Sequence, residues 1–387
     1  MRKLASMFGL VLSLILLPAA TGAAQTVAQL PPEDVQKIEE AISAEMARQH
    51  LVGLSVAIAV EKRLVYANGF GMADLENSVP ATARTVYRTA SIAKPMTATG
   101  VLLLVEQGRL DLDAPIQKYC PAFPEKEWPV ATRQLLGHLA GIRHYKSGNE
   151  ATGTKHYFAI EPSLELFKDE PLLHEPGSKY QYSTYGYSVL GCALEGASGT
   201  SYAEFLHDQV FAPTGMSQTR TDDVYELIPH RARGYQKLDQ RTYDQLPEAV
   251  KRVARVGAHY NADLHDTSMK VPGGGLVSTA PDLVRFALAY LDNSLLKEET
   301  KQRMWTRQRT KDGQETNYGL GWGVGDFHGL RSISHGGAQA GTRTFLGILP
   351  DKGIVVAFMC NTEGVDGGPL LEAIGAVLLG EQQPPNK

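Results

Sequence analysis

The sequence lacks the clustered positive charge of nucleic-acid-binding proteins. Its 387 residues include 38 Lys and Arg against 42 Asp and Glu, which gives a formal net charge of −4. The basic residues form no block and no stripe with interleaved aromatic side chains. Because phosphate contacts dominate affinity for nucleic acid, we expect no nucleic-acid partner.

Cysteine is scarce. The three cysteines, Cys120, Cys192 and Cys360, are too few for a small scaffold held together by disulfide bonds, and an odd number is unusual for an exported protein. Each lies among apolar residues, which is typical of small buried side chains. We therefore expect at most one disulfide bond and leave open which two cysteines would form it.

Several catalytic signatures are absent. The chain has no His-Glu-x-x-His, no His-x-His, no Gly-x-x-x-x-Gly-Lys and no Gly-x-Ser-x-Gly sequence. These absences argue against zinc peptidases, phosphate-loop enzymes and hydrolases with a nucleophile elbow. His138 and His144 are spaced poorly for joint metal ligation, and we interpret them as ordinary helix and loop residues. We expect neither a metal nor a cofactor.

The N-terminus has the layout of a secretory signal peptide. Arg2 and Lys3 precede an apolar run over residues 4–17, followed by Pro18 and a stretch of small residues. The run is shorter than the roughly 20 residues that a membrane span needs. We predict a signal peptide over residues 1–24, and a periplasmic or secreted mature protein with no stable membrane span. An uncleaved N-terminal anchor is the alternative.

Hydrophobic periodicity predicts strands near both chain ends and helices between them. The patterns predict a helix at 32–50, a hairpin at 53–60 and 64–70, helices at 91–106, 132–140 and 185–195, strands at 331–334, 342–349 and 353–360, and a helix at 370–379. The expected fold is α+β, in which an antiparallel sheet is flanked by helices and carries an inserted all-helical domain.

The same patterns predict a discontinuous domain organisation. Residues 32–90 and 270–381 would form the sheet domain. Residues 91–269 would form a mostly helical domain with long loops, which we expect especially at 219–270. A cleft between two such units is the usual place for a site, so we expect the active site at their interface.

A Ser-x-x-Lys sequence at Ser91 and Lys94 is the first chemical signal. Residues three apart share a helix face, so the amine can lie within hydrogen-bond reach of the hydroxyl and take its proton. The motif is weak alone, since Ser294 and Lys297 repeat it in a position typical of a helix cap. Ser91 is favoured because it follows a predicted strand and opens a helix, where free amides can polarise the site.

Two further segments carry candidate site residues. Tyr182 precedes Ser183 and Thr184 at the start of a predicted helix, and a tyrosine near an ammonium group can pass a proton. The sequence from His335 to Gly337 follows a predicted strand, and its paired glycines would let a substrate backbone approach closely. A bulge or turn is the alternative reading of these glycines.

These motifs, in this order over residues 91–335, resemble the serine β-lactamase and penicillin-binding-protein superfamily in its class C and peptidase S12 branch, and most closely the LACTB-like serine proteases. The resemblance extends over nearly all of the mature chain. It includes the stretches at 133–142, 138–145, 182–187, 213–216 and 273–283. It implies the same α+β fold, with the active site between the sheet and the helical domain.

The resemblance also implies roles for individual residues. Ser91 would attack an amide or ester carbonyl, and Lys94 with Tyr182 would move its proton and protonate the leaving group. Which of the two is the base stays open, because they would titrate as a coupled pair. The remaining residues would hold the substrate: the backbone amides of Ser91 and Ala338 at the oxyanion, with Thr184, His335, Gly336 and Gly337 beside it.

Two residues depart from the superfamily pattern. Thr184 replaces the usual Asn and offers one hydroxyl in place of an amide. His335 replaces the usual Lys, so a fixed positive charge gives way to a group that is mostly neutral at pH 7. We therefore expect an exported serine hydrolase with poor cephalosporin turnover. The alternatives are a true class C β-lactamase, and a penicillin-binding sensor or self-assembling scaffold without turnover. The oligomeric state stays open.

Overall fold

A computed structural model describes residues 29–380; the predicted signal peptide and residue 381 of the predicted sheet domain lie outside this range. The described residues form twelve strands. In chain order they are β1 (Gly53–Val60), β2 (Arg63–Asp74), β3 (Val79–Pro80), β4 (Tyr87–Arg88), β5 (Arg220–Thr221), β6 (Tyr235–Lys237), β7 (His259–Asn261), β8 (Leu276–Ser278), β9 (Gly323–Phe327), β10 (Leu330–Gln339), β11 (Thr342–Leu349) and β12 (Ile354–Cys360).

The same residues form thirteen α-helices. They are α1 (Pro32–Gln49), α2 (Ala93–Glu106), α3 (Thr132–Leu136), α4 (Gly148–Ala151), α5 (Ile160–Ser163), α6 (Thr184–Ser198), α7 (Tyr202–Leu206), α8 (Gln240–Gln245), α9 (Glu248–Lys251), α10 (Val271–Gly274), α11 (Ala280–Leu291), α12 (Glu298–Met304) and α13 (Gly368–Leu379). Short 3₁₀ turns lie at Ala90–Ile92, Ile116–Lys118, Leu164–Leu166, Ser268–Lys270 and Pro350–Lys352, and a π-helical turn at His207–Phe211.

The main sheet joins strands from the two ends of the chain. Its seven strands lie in the order β3-β2-β1-β12-β11-β10-β9, and every neighbouring pair is antiparallel. The central contact pairs β1 with β12, so the N-terminal hairpin and the C-terminal strands form one surface. The predicted α+β class, with an antiparallel sheet and flanking helices, is confirmed.

Helices cover both faces of this sheet. Successive residues of a strand point to opposite faces. Val56 and Ile58 of β1 pack with Ile38 and Ile42 of α1, in a buried cluster that also includes residues of α13. Ala57 belongs to the second, larger cluster, which includes α11 and the helices of the middle of the chain. Burial on both faces explains why β1 reads as an almost continuous apolar run.

A disulfide bond connects two segments of the helical part. Cys120 follows a 3₁₀ turn and Cys192 lies in α6, and their sulfur atoms are bonded. Cys360 is a free, fully buried thiol in β12. The expectation of at most one disulfide bond among buried cysteines is thus confirmed. No helix among residues 29–380 is both long enough and apolar enough to cross a membrane.

Some predicted elements have different limits. The helix predicted at 132–140 ends at Leu136, because His138 adopts a left-handed backbone with φ of 58°. The strand predicted at 331–334 continues as β10 to Gln339, so Gly336 and Gly337 are strand residues and form neither a bulge nor a turn. β9 was not predicted, because its five residues include two glycines and an exposed aspartate.

The middle of the chain is not entirely helical. Residues 219–270 are mostly loop, but they contain β5, β6 and β7. β5 and β4 both pair with β8, and they form a small three-stranded sheet beside the start of α2. A strand of the inserted part, β5, therefore pairs with β8, which lies outside the inserted part. The division into domains at 32–90 with 270–381 and at 91–269 stays a prediction.

Candidate active site

Ser91 lies in a tight turn between β4 and α2. The turn is a single 3₁₀ segment at Ala90–Ile92, so the α-helix begins two residues later than the sequence pattern predicts. Ala90 has a left-handed φ of 47°, a conformation that costs energy in any residue with a side chain. A β-carbon on Gly337 would lie 2.5 Å from the carbonyl oxygen of Thr89. The glycine therefore lets β10 pack directly against the turn that carries Ser91.

Lys94 lies in the first turn of α2 and is fully buried. Its Nζ atom is 3.1 Å from Ser91 Oγ, 3.2 Å from Thr184 Oγ1 and 2.6 Å from the carbonyl oxygen of Gly273. Burial lowers the pKa of Lys94 well below its ordinary value, and the positive charge of Lys270 lowers it further. A neutral amine fits these contacts, because its two N–H groups can donate to Gly273 and Thr184 while its lone pair accepts from Ser91.

Tyr182 contacts both members of this pair. Lys94 Nζ lies 4.7 Å from the centroid of its ring, and its hydroxyl interacts with the Ser91 side chain. Burial raises the pKa of Tyr182, although the interaction with Ser91 opposes this effect. The side chain of Ser183 caps α6 by accepting from the amide of Gly186, which fixes the end of the loop that carries Tyr182.

His138 and His144 hold the Tyr182 segment in place. Nδ1 of His138 accepts from the amide of Ser183 at 3.2 Å, and Nδ1 of His144 accepts from the amide of Thr184 at 3.2 Å. The ring of His138 also packs on that of Tyr182, with centroids 4.3 Å apart. Burial lowers the pKa of both histidines, to about 4 for His144, so both rings are neutral acceptors. These hydrogen bonds give both histidines a structural role in positioning the Tyr182 segment, which the sequence interpretation did not include.

His335 lies in β10 with both ring nitrogens bound to protein atoms. Nδ1 is 2.7 Å from the carbonyl oxygen of Gly336, and Nε2 is 2.9 Å from the hydroxyl of Tyr318. Since a carbonyl only accepts, we assign the proton to Nδ1 and a donated Tyr318 hydrogen bond to Nε2. Burial, together with the neighbouring Lys94, lowers the pKa of His335 to about 3. The ring is therefore neutral and has no nitrogen free for a substrate.

One edge of β10 borders the site. β9 pairs with β10 only from Leu330 to Ser334, whereas β11 pairs with it as far as Gln339. Within residues 29–380, no strand pairs with the other edge of β10 beyond Ser334. Gly336 and Ala338 are exposed there. A β-carbon on Gly336 would meet nothing closer than 4.0 Å, so this edge is open to a substrate backbone.

The segments described above line a cleft of about 390 Å³. Its walls come from the Ser91 turn, the loop after α3, the start of α6, the segment before β8, and β10 with β11. The lining residues are Ala90, Ser91, His144, Tyr145, Ala151, Thr152, Tyr182, Thr184, Lys270, Gly273, Gly274, Gly336, Ala338, Gln339, Ala340 and Arg343.

Most of the predicted site residues meet at this cleft. Lys94 lies beneath Ser91, and His335 and Gly337 pack behind the cleft without lining it. The second Ser-x-x-Lys sequence is not part of it. Ser294 lies in a turn, where its amide donates to the Asp292 side chain, and the helix cap of α12 is Lys297. The predicted capping role of Ser294 was wrong.

Three residues of the site escaped the sequence patterns. His138 and His144 lie about 40 residues before the segment that they support, so no local spacing marks them. Lys270 lines the cleft from the turn before α10. Its only signal is a single charge between Met269 and an apolar, glycine-rich stretch. Within residues 29–380, no group of three or more His, Cys, Asp or Glu side chains could hold a metal ion.

A serine hydroxyl beside a buried amine and a phenol, at the open edge of an antiparallel sheet, is the arrangement of a serine hydrolase that uses lysine and tyrosine. This chain belongs to the beta-lactamase family, whose model matches residues 38–379. It is 30% identical to the human serine beta-lactamase-like protein LACTB, mitochondrial, over an alignment 420 positions long, gaps included, that covers 81% of this chain and 74% of the relative.

Solved structures agree with this assignment. The octameric penicillin-binding protein homologue from Pyrococcus abyssi superposes with a TM-score of 0.73 at 27% identity, over 90% of this chain and 78% of that one. The D-amino acid amidase from Ochrobactrum anthropi SV3 in complex with D-phenylalanine gives a TM-score of 0.74 at 25% identity, over 90% and 98% of the two chains. The protein is a serine hydrolase of the beta-lactamase-like family.

Proposed function

We propose that this protein is an exported hydrolase that cleaves amide or ester bonds through an acyl-enzyme on Ser91. The observation that carries the proposal is the 3.1 Å separation of Ser91 Oγ and the buried Lys94 Nζ, with Ser91 facing the 390 Å³ cleft. The similarity to an enzyme named as an amidase supports amide bonds as substrates. An ester is the easier substrate for the same chemistry, because its leaving group needs less help from a proton donor.

Lys94 is the base in this proposal. Burial favours the neutral amine of Lys94 and the neutral phenol of Tyr182, because it disfavours the charged form of each group. A neutral amine can accept the Ser91 proton, whereas a buried phenolate would first have to form. As the hydroxyl oxygen attacks the substrate carbonyl carbon, its proton therefore passes to Lys94 Nζ.

Tyr182 carries the proton onward. Its hydroxyl interacts with the Ser91 side chain, and its ring lies beside Lys94 Nζ. It can therefore donate its own proton to the departing nitrogen or oxygen and receive one from the Lys94 ammonium. The carbonyl–leaving-group bond breaks and an ester to Ser91 remains. Water then attacks this ester and gives its proton to the same groups. The bond between the acyl carbon and Ser91 Oγ breaks, Oγ takes the proton back, and the carboxylic acid leaves.

The developing oxyanion would be held by backbone amides. Ser91 and Ala338 both line the cleft, one from the 3₁₀ turn and one from the open edge of β10. Fixed donors of this kind act strongly, since they need no reorganisation as charge develops. Gly336 leaves space for the substrate chain, and Thr184 can orient it through its hydroxyl, which also touches Lys94. His335 acts indirectly in this scheme, because both of its nitrogens are occupied.

Export is the second part of the proposal. The predicted signal peptide precedes a folded part that contains a Cys120–Cys192 disulfide bond, and such bonds persist in oxidising compartments. The mature protein would be periplasmic or secreted and would begin near Gln25. N-terminal sequencing of the protein from its native host tests this. A retained Met1 on membrane-associated protein would favour the uncleaved anchor.

A fluorophosphonate probe followed by intact-mass and peptide analysis tests the nucleophile. We expect one adduct per chain, on Ser91, and none on Ser294. The Ser294→Ala variant is the matched control and should be labelled like the wild type. A folded protein that takes up no probe would instead favour the sensor or scaffold alternative.

A further inference from the structure

The cleft contains positive charge without acidic residues. Among the described residues that line it, none is Asp or Glu, whereas Lys270 and Arg343 both line it. The nearby carboxylate of Glu150 is bound to the Arg143 guanidinium and to the Tyr185 hydroxyl. The cleft therefore presents positive charge to whatever enters it.

Lys270 is unusual within this set. The residue is 3% exposed, and its Nζ atom donates to the carbonyl oxygen of Ala151 at 2.9 Å. The ammonium also lies 5.4 Å from the ring centroid of Tyr145. Within residues 29–380, it forms no salt bridge, although a buried ammonium is costly without an opposite charge. A single carbonyl satisfies only one of its three donors.

The charges around Lys270 compensate its ammonium group only in part. Burial lowers its pKa most, the positive charge of Arg88 lowers it further, and the negative charge of Asp222 raises it. Both oxygens of Asp222 are already engaged, by Arg88 and by Arg231. His144, which also lines the cleft, is neutral. Burial brings the pKa of Lys270 to about 8, so the group is mostly protonated at neutral pH.

Arg343 contributes a second positive charge to the cleft, from the wall formed by β10 and β11. It lies in β11, in register with Ala338 of β10, and is half-buried. In the described part of the chain, its guanidinium has no hydrogen bond and no salt bridge. The cleft thus carries positive charge on two walls, while His335 contributes none.

We infer that Lys270 is a specificity-determining residue that pairs with a carboxylate of the substrate. The inference rests on the proposed hydrolase function and narrows its substrate class to anionic amides or esters. A substrate carboxylate would supply the negative charge that Lys270 lacks. Its oxygens would accept hydrogen bonds from the free N–H groups of Lys270, in a place where water is largely excluded. Such a charge-assisted hydrogen bond is among the stronger polar contacts in proteins.

The test compares matched substrates. Two pairs of esters are needed, with a carboxylate on the acyl side in one pair and on the leaving side in the other, and each is compared with its carboxamide counterpart. We expect wild-type kcat/KM to favour the carboxylate in at least one pair. Lys270→Met should reduce this preference roughly tenfold or more, as expected for a lost charged hydrogen bond. Lys270→Arg should retain part of it.

Lys352→Met is the control for charge removal, since Lys352 is exposed in a turn that does not line the cleft. It should keep the wild-type preference. Equal loss of both substrates in Lys270→Met, or a wild type without preference, would overturn the inference. Both results leave the proposed hydrolase intact, since that function is tested separately by fluorophosphonate labelling of Ser91 and by the turnover of the esters in Ser91→Ala.

A measurement on the unmodified protein covers the case in which Lys270→Met does not fold. Succinate and succinamide are compared as inhibitors of the turnover of a neutral ester at constant ionic strength. We expect competitive inhibition by succinate at a concentration at least tenfold lower than for succinamide, for the same reason. Equal inhibition by the two compounds would contradict a carboxylate site.

Discussion

The Nζ atom of Lys94 lies 3.1 Å from the Oγ atom of Ser91, and both belong to one continuous helical turn. This contact distinguishes the Ser-x-x-Lys sequence at Ser91 from the second copy at Ser294. In the second copy, Ser294 lies in a turn before α12, and the Lys297 amide donates to Glu106. The motif becomes a reactive pair only where the helix start is buried beside a cleft.

The first prediction follows from that contrast. Ser91→Ala should abolish turnover of amides and esters with little change in the melting temperature, because it removes one hydroxyl that faces the cleft. Ser294→Ala should retain wild-type kcat. Steady-state kinetics and thermal unfolding check both variants. Loss of activity in Ser294→Ala with retention in Ser91→Ala would refute the assignment of the nucleophile.

The second prediction concerns the leaving group. Tyr182→Phe should lower amide turnover by roughly 10²- to 10⁴-fold, the usual effect of losing a general acid. Turnover of a p-nitrophenyl ester should fall much less, because that leaving group departs without a proton. Tyr180→Phe is the matched control and should leave the amide-to-ester ratio of kcat/KM as it is. Equal losses on both substrates in Tyr182→Phe would argue against proton donation to the leaving group.

Local sequence was sufficient for the parts of the site that depend on helical spacing or on a loop-to-helix junction. Ser91 with Lys94, and Tyr182 with Thr184, are such pairs, and the structure brings all four together. The apolar runs of β1 and β12 likewise predicted the centre of the sheet. These features persist because one short segment determines each of them.

Contacts between distant segments were not predictable in the same way. His144 was discounted because its spacing from His138 suits no metal, yet each histidine binds a backbone amide 40 or more residues away. Lys270 enters the cleft from the turn before α10, and only the fold shows that no carboxylate among residues 29–380 forms a salt bridge with it. The predicted end of β10 was wrong because glycine has a low intrinsic strand preference. In the fold, however, Gly337 allows β10 to pack closely on the Ser91 turn.

The third prediction concerns the disulfide bond. Cys120 and Cys192 are separated by 72 residues, and closing a loop of this length restricts the unfolded chain by about 4 kcal/mol in the chain-entropy model. Cys120→Ala with Cys192→Ala should therefore lower the free energy of unfolding by an amount of this order. Cys360→Ala is a control for loss of a buried thiol. Thiol titration in denaturant should find one free thiol without reductant and three with it. Three in both conditions would contradict the bond.

The fourth prediction is that the free energy of unfolding decreases between pH 7 and pH 5. Burial lowers the pKa of His144 and His265 to about 4 and that of His335 to about 3, while His138 is lowered strongly. The unfolded chain binds protons at these groups below pH 6.5, whereas the folded protein does not, so the free energy of unfolding falls as the pH falls. Each such histidine contributes at most about 1.4 kcal/mol per pH unit.

Urea unfolding at pH 7.0 and pH 5.5 measures this effect. His265→Gln should make the loss of stability on acidification smaller, because His265 is one of the buried rings and lies outside the proposed catalytic groups. The exposed His207 gives a matched control in His207→Gln, which should leave the pH dependence as in the wild type. Stability that does not change between the two pH values would contradict the neutral, buried state of these rings.

The fifth prediction is poor turnover of β-lactams. Thr184 offers a hydroxyl where the superfamily pattern has an amide, and His335 is neutral with both nitrogens bound to the protein. Each change should cost on the order of 1–3 kcal/mol of transition-state binding for a β-lactam, or roughly 5- to 150-fold in rate. Nitrocefin kcat/KM should therefore be low beside that of a small ester.

Thr184→Asn should raise the β-lactam rate selectively, whereas Thr184→Ser, which keeps the hydroxyl, should not. Wild-type cephalosporin hydrolysis near the diffusional limit would instead identify a true β-lactamase.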